Sequence, residues 1–249
     1  MSARSVLVGA AAALLLHGGG AGAACEHRLY LTFDTGNMRH AELIAATLAK
    51  HGAKATFFIA NEKTVNGDHA LDYAWAPFWR ARIAEGHAFG SHTWRHGSFR
   101  KDAGDRVTYR LMDGRSEQLD GAAVCAELRR PDVRFRELTG RGFDPLWRAP
   151  GGRTTPLALG AAAGCGYRHV GWAAAGFLGD ELPSENYPND LLVGRALKGL
   201  RDGDVVMAHL GIWSRKDPFA PALDRLLAGL AQRGFCFVAP APADPPGRS

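Results

Sequence analysis

The sequence has no apolar stretch long enough to cross a bilayer as a helix. Its most apolar segment, Val6 to Leu16, has 11 residues, against about 20 for a spanning helix. It has only four cysteines and no Cys-x-x-Cys pair, which excludes a zinc ribbon or a thioredoxin-like redox site. Neither sign of charge dominates: 30 Lys and Arg against 25 Asp and Glu give +5, too small an excess to indicate nucleic-acid binding. Internal repeats and low-complexity blocks are missing after the first segment, so solenoid and fibrous classes fall. With 46% hydrophobic and 22% charged residues among 249, the composition is that of one soluble globular domain and not of a disordered chain.

What is present begins with an export signature. Residues 1–24 carry one charged side chain, Arg4, then the apolar run, then a Gly/Ala tract ending Ala21-Gly22-Ala23-Ala24. That order predicts a secretory signal peptide rather than a buried helix. A cut after Ala24 would leave 225 residues at +4, with a periplasmic or extracellular destination and no membrane insertion of the mature chain. Lipidation of Cys25 is disfavoured by Gly22. Export permits disulfides. Cys25 lies just before the first expected strand and Cys236 inside the last, while Cys125 and Cys165 lie on helices flanking one strand. Cys25–Cys236 and Cys125–Cys165 are the expected pairs, with four free thiols as the alternative.

Short β-rich runs alternate with helical patterns. Strands are expected at 29–33, 54–59, 87–91, 145–148, 167–171, 204–208 and 235–238. Helices are expected at 41–51, 76–85, 118–138, 156–163, 190–200 and 221–232, several closed by glycine. Strand alternating with helix means a parallel sheet. Seven strands in this length fit an α/β fold of the small (β/α) barrel type better than an open sheet. Two stretches break the alternation: Asn61 to Trp75, a long loop, and Ser98 to Glu117, polar and without clear period. Both are candidate lids or substrate walls. The Pro-rich tail from Pro240 is expected to fray.

Parallel barrels collect chemistry where strands end. Those ends carry Asp34, then His92 and His96, then Arg148, then His209. A helical turn after the third strand would put His92 and His96, four apart, on one face able to grip a metal; two surface histidines are the blander reading. Asp34 suits a general base, a metal ligand or a cap. His209 suits a general acid or a core histidine.

Together these segments resemble the polysaccharide deacetylases of carbohydrate esterase family 4, the NodB-homology domain. Thr32-Phe33-Asp34-Thr35-Gly36 is similar to the first motif, usually Thr-Phe-Asp-Asp-Gly. Ser91-His92-Thr93-Trp94-Arg95-His96 is similar to the metal-binding motif, Arg148-Ala149-Pro150-Gly151-Gly152 to the third, and Val205 to His209 to the last. The resemblance implies a distorted (β/α)7 barrel and a hydrolase that removes N-acetyl groups from an amino-sugar polysaccharide. It implies Asp34 as general base, His92 and His96 holding a divalent cation, typically Zn2+, and Arg148 orienting Asp34. Gly151 N–H would stabilise the oxyanion and His209 would protonate the departing amine.

Departures from the pattern matter as much. The family's third metal ligand is an Asp, and this chain has Thr35. The site would then bind metal more weakly, bind through a water, or recruit Asp34 itself; in the last case Asp68, His69 or Asp72 becomes the candidate base. Trp172 is followed by alanines, so Asp180 is the expected partner of His209. His87 reads as structural, and Trp213 as the aromatic lining the pocket. Two other readings stand beside the deacetylase: a degenerate glycan-binding member, motivated by Thr35 and Ala175, and an amidohydrolase of a small non-sugar amide. The partner is an N-acetylated glycan in the first two; the oligomeric state is open.

Overall fold

The computed structural model describes residues 25–244; the expected signal peptide, 1–24, lies outside them. The seven strands of the main sheet follow one principle: short, largely buried runs pair in parallel, because helices cover the outside. β1 (His27–Asp34) and β2 (Ala55–Ile59) are the clearest, and β2 is buried throughout. β3 (Ala88–Ser91) follows β2 in the sheet. A three-stranded antiparallel sheet comes next, β4 (Ser98–Ala103), β5 (Arg106–Arg110) and β6 (Ser116–Leu119). The main sheet resumes with β7 (Leu146–Trp147), β8 (Arg168–His169), β9 (Val205–His209) and β10 (Phe235–Phe237). Its order is β10-β1-β2-β3-β7-β8, with β9 also on β1, every pairing parallel. β10 takes the start of β1 and β9 its end, so seven strands curl around one centre. A bridge between Phe177 and Met207 joins the segment after β8 to β9. This is the distorted (β/α)7 barrel.

Six helices clothe it: α1 (Ala41–Lys50), α2 (Ala76–Ala84), α3 (Gly121–Thr139), α4 (Pro156–Gly164), α5 (Asn189–Gly199) and α6 (Ala220–Gln232). Caps set two starts: the Asp120 carboxylate accepts from Ala123 N–H and the Thr155 hydroxyl from Ala158 N–H. Outward-facing Phe57 and Phe89 meet Trp79 of α2 and Phe135 of α3, with ring centroids 4.8–6.4 Å apart. Inward, Phe58 clusters with Leu146, Val170 and Ala241.

Strands and helices fall within a few residues of their expected positions. Two departures have physical reasons. Ser98 to Glu117 is an antiparallel meander: Phe99, Val107, Tyr109 and Leu119 are buried on one face, and a bulge between Phe99 and Lys101 hides the alternation. The tail does not fray before Asp244, because Ala241 N–H donates to Thr56 Oγ1 inside the barrel and the Asp244 carboxylate accepts from Gly171 N–H and binds His169; residues 245–249 are outside those described. His87 is structural, its Nδ1 accepting from Ala55 N–H. Both expected disulfides are present, Cys25–Cys236 and Cys125–Cys165. Among the described residues no helix is long and apolar enough to cross a membrane.

Cys25–Cys236 spans 211 residues of sequence, so its closure restricts most of the unfolded chain. Replacing both with Ser should lower stability by roughly 2–4 kcal/mol, measured by urea unfolding without reductant; no loss of stability would mean the bond adds nothing to the barrel's closure.

Candidate active site

The carboxyl ends of β1, β3, β7 and β9 open into one pocket of about 370 Å³, lined by Asp34, His92, His96, Gly151, Trp172 and His209 among others. The register explains the meeting: Asp34 stands beside His209 on the adjacent strand, and Ser91, just before His92, beside Trp147, just before Arg148.

Arg148 is fully buried, and four acceptors fix its guanidinium. Nη1 donates to Thr32 Oγ1 at 2.6 Å and to Asp34 Oδ1 at 3.1 Å, Nε to Val170 O at 3.0 Å, and Nη2 to Gly171 O at 2.9 Å. Burial alone would raise the Asp34 pKa, but His92, Arg148 and His209 outweigh it and hold the carboxyl below the ordinary range. Asp34 is therefore ionised and aimed by a rigid fork.

His92 Nδ1 lies 2.9 Å from the Arg148 carbonyl, which accepts only, so Nδ1 carries the proton and Nε2 is bare. Nε2 faces Asp34 Oδ2 at 3.5 Å. Burial pushes the His92 pKa down to about 4, against the pull of Asp34, leaving a neutral imidazole. His96 lies 4.9 Å away, centroid to centroid. No helical turn joins the two. Thr93 (φ 63°) and His96 (φ 52°) are left-handed, a conformation that costs about 1 kcal/mol or more for such residues, and this turn swings His96 back over His92.

His209 receives the partner expected for it. Its backbone N–H donates to Asp180 Oδ2 at 2.7 Å, and Nδ1 sits 3.1 Å from Asp180 Oδ1. Nε2 faces Glu181 Oε2 at 3.6 Å. Burial works to lower the imidazole's pKa, but Asp180 foremost, then Asp34 and Glu181, raise it to about 9. Gly151, left-handed at φ 63°, brings its peptide to the pocket lining.

Other residues behave differently from expectation. Trp213 is 62% exposed and does not line the pocket; it lies beyond the turn at Gly211, and Trp172 is the aromatic in the wall. Asp68 accepts from Thr64 and Trp75, and Asp72 from His69 N–H, so these loop carboxylates and His69 serve their own loop. The carboxylate that does reach the site is Glu62. Its Oε2 accepts from the Thr35 hydroxyl at 2.5 Å and from Gly36 N–H at 2.9 Å, and its Oε1 lies 3.7 Å from His96 Nδ1. Burial would raise its pKa, but His96, the Thr35 hydroxyl and His92 pull it below the ordinary value. Sequence reasoning missed it; the strand-end rule could have found it, since Glu62 follows β2 by three positions. The meander adds Arg100 and Arg110 to the rim, and Arg153 joins from the other side.

Among the described residues no three His, Cys, Asp or Glu side chains form a ready-made metal cage. The donors nonetheless suit a divalent cation: His92 offers a bare Nε2, and His96 Nδ1 is buried without a hydrogen-bond partner.

A family model described as polysaccharide deacetylase matches residues 21–170. The chain belongs to the polysaccharide deacetylase family. It is similar to a chitooligosaccharide deacetylase of Azorhizobium caulinodans, 28% identical over 223 residues, covering 85% of this chain and 92% of that protein. The peptidoglycan-N-acetylglucosamine deacetylase of Listeria monocytogenes is 26% identical over 213 residues, 85% of this chain and 37% of the relative. The fold is shared with a family 4 acetyl xylan esterase from Clostridium thermocellum solved with a cobalt ion, at 20% identity and a TM-score of 0.64, covering 85% of this chain and 87% of that one.

The His209–Asp180 pair yields a thermodynamic expectation. Its folded pKa of about 9 lies above the ordinary 6.5, so its stabilisation is complete below pH 6.5 and fades as pH rises through about 9. Asp180→Asn should therefore lose most stability on the acid side, the gap to wild type closing above pH 9 in urea unfolding at stepped pH. A gap constant across pH would contradict a charged pair.

Proposed function

We propose that this chain is an exported, metal-dependent hydrolase that removes acetyl groups from an N-acetylated amino-sugar polymer. Residues 1–24 are its signal peptide and the remainder one deacetylase domain. The observation that carries the reading is the pairing of opposite proton-transfer groups across one pocket: ionised Asp34 under Arg148, and protonated His209 on Asp180. An amide is cleaved by removing a proton from water on one side and giving one to the amine on the other.

His92 and His96 would hold the cation, with zinc the best fit to imidazole donors. When bound there it supplies Lewis acidity to an acetyl carbonyl and to water. The chain's own groups do the rest. Asp34 accepts the proton of the attacking water; Arg148 keeps that carboxylate oriented. The Gly151 N–H donates toward the oxygen on which negative charge develops. His209, held as imidazolium by Asp180, donates its Nε2 proton to the departing nitrogen. Trp172 offers a face for a sugar ring. The disulfides support an oxidising, extracytoplasmic site of action, and the relatives' activities on chitooligosaccharide and peptidoglycan support a glycan substrate.

The test is acetate release from chitooligosaccharides and peptidoglycan fragments, with and without a chelator. Wild type should release acetate and lose activity on chelation. Asp34→Asn should lower kcat/KM by about 10²–10⁴-fold; an unchanged rate would remove Asp34 from the mechanism. Turnover of small amides alone would replace the glycan substrate.

A further inference from the structure

The carboxylate missing from position 35 has not vanished from the site. Glu62 reaches the same place from the loop after β2. Its two oxygens differ: Oε2 is occupied by the Thr35 hydroxyl and Gly36 N–H, whereas Oε1 turns toward His96 Nδ1 at 3.7 Å. That separation is too long for a hydrogen bond, and His96 Nδ1 has no other partner although it is buried. A bare nitrogen facing a carboxylate oxygen is two lone pairs in opposition, and a protonated one would be an unsatisfied donor; either is costly in a buried site. A cation between them removes the cost. Donor atoms of a tetrahedral zinc site stand about 3.3 Å apart, from metal–donor bonds of about 2.0–2.1 Å, so a few tenths of an ångström of closure suffice.

We propose that Glu62 is the third protein ligand of the metal, and that Thr35 is its positioning residue instead of a ligand. Thr35 Oγ1 is already committed, donating to Glu62 and accepting from Ala60 N–H at 3.2 Å. A threonine there is too short and too occupied to coordinate, but it clamps the longer Glu62 side chain. The inference rests on the metal-dependent reading above, and its test is metal binding itself.

Apo protein prepared with chelator is titrated with Zn2+ by calorimetry and with Co2+ by visible absorption. Wild type should bind one equivalent. Glu62→Gln keeps both accepted hydrogen bonds through its amide oxygen, so it should melt within a few degrees of wild type. It should bind Zn2+ at least about 100-fold more weakly, exceeding the 10–100-fold that outer-shell partners are worth, with an altered Co2+ spectrum. Thr35→Val should weaken binding by only about 10-fold and keep the wild-type spectrum. Unchanged affinity and spectrum in Glu62→Gln, or no binding by wild type, would overturn the assignment. Metal binding by wild type without acetate release would count against the deacetylase reading alone.

A separate observation concerns the rim. Arg100 and Arg110 on the meander and Arg153 after β7 line the pocket, and among the described residues none of their guanidiniums makes an ion pair or hydrogen bond. Three free guanidiniums around a glycan pocket match a polymer bearing carboxylates. We infer that the substrate carries a carboxylate near the reacting acetamido group, from a uronic acid or from a lactyl ether. This too rests on the deacetylase reading. Acetate release is compared on neutral chitotetraose, a glucuronate-containing N-acetylglucosamine tetrasaccharide and a muramyl-containing tetrasaccharide. One anionic substrate should exceed the neutral one at least about 10-fold in kcat/KM, naming the carboxylate's source. Arg100→Ala with Arg110→Ala should raise KM for that substrate about 10-fold, well beyond its effect on the neutral one. Equal rates on all three, or equal loss on all in the variant, would overturn it; no turnover on any would count against the deacetylase reading instead.

Discussion

The buried Arg148 guanidinium is the contact on which the site depends. It reaches from β7 to Thr32 and Asp34 on β1 and to the carbonyls of Val170 and Gly171 after β8, and it lies over Phe58, 4.3 Å from the ring centre. A buried charge is tolerated only when its donors and its counter-charge are satisfied. Here two backbone carbonyls after β8, the Thr32 hydroxyl and one carboxylate meet that demand. The aim of Asp34 follows from where this side chain sits, and the backbone carbonyl of the same residue fixes the His92 tautomer.

Around it, the same groups serve both folding and chemistry. Asp180 satisfies the backbone N–H of His209 and charges its ring. Thr35 satisfies Ala60 N–H and orients Glu62. Strain gathers in the His92–His96 turn, where two non-glycine residues adopt left-handed backbone. Such geometry persists only when the surroundings over-determine it, and the surroundings here are the pocket walls. Gly36 has a complementary reason: at φ 55° an added Cβ would stand 2.1 Å from the Gly211 carbonyl oxygen, so the loops after β1 and β9 close on each other only with glycine there.

The order of strands and helices, the barrel and both disulfides were legible in the sequence, since periodicity and helix ends report local burial directly. So were Asp34, His92, His96, Arg148 and His209, each sitting at or soon after a strand end, while Asp180 stood out as the first acid downstream of Trp172. Trp213 was misplaced because an aromatic near a catalytic motif says nothing about which way a loop turns. The Ser98–Glu117 meander was obscured by a bulge that interrupts the period-2 pattern. Glu62 was overlooked in favour of more distant loop carboxylates, although its position after β2 followed the same strand-end rule as the others.

What the sequence alone determined is the scaffold and the inventory of reactive groups, because both are encoded in residues near one another along the chain. The tertiary structure decided which groups meet. Thr35 and Glu62 are 27 residues apart and become partners only when β1 and β2 pair in register. Arg100 and Arg110 share the pocket rim with Arg153 only because the meander folds over it. Convergence of a buried carboxylate with two histidines, and of a positive rim, is a property of long-range pairing, where no local periodicity carries the signal.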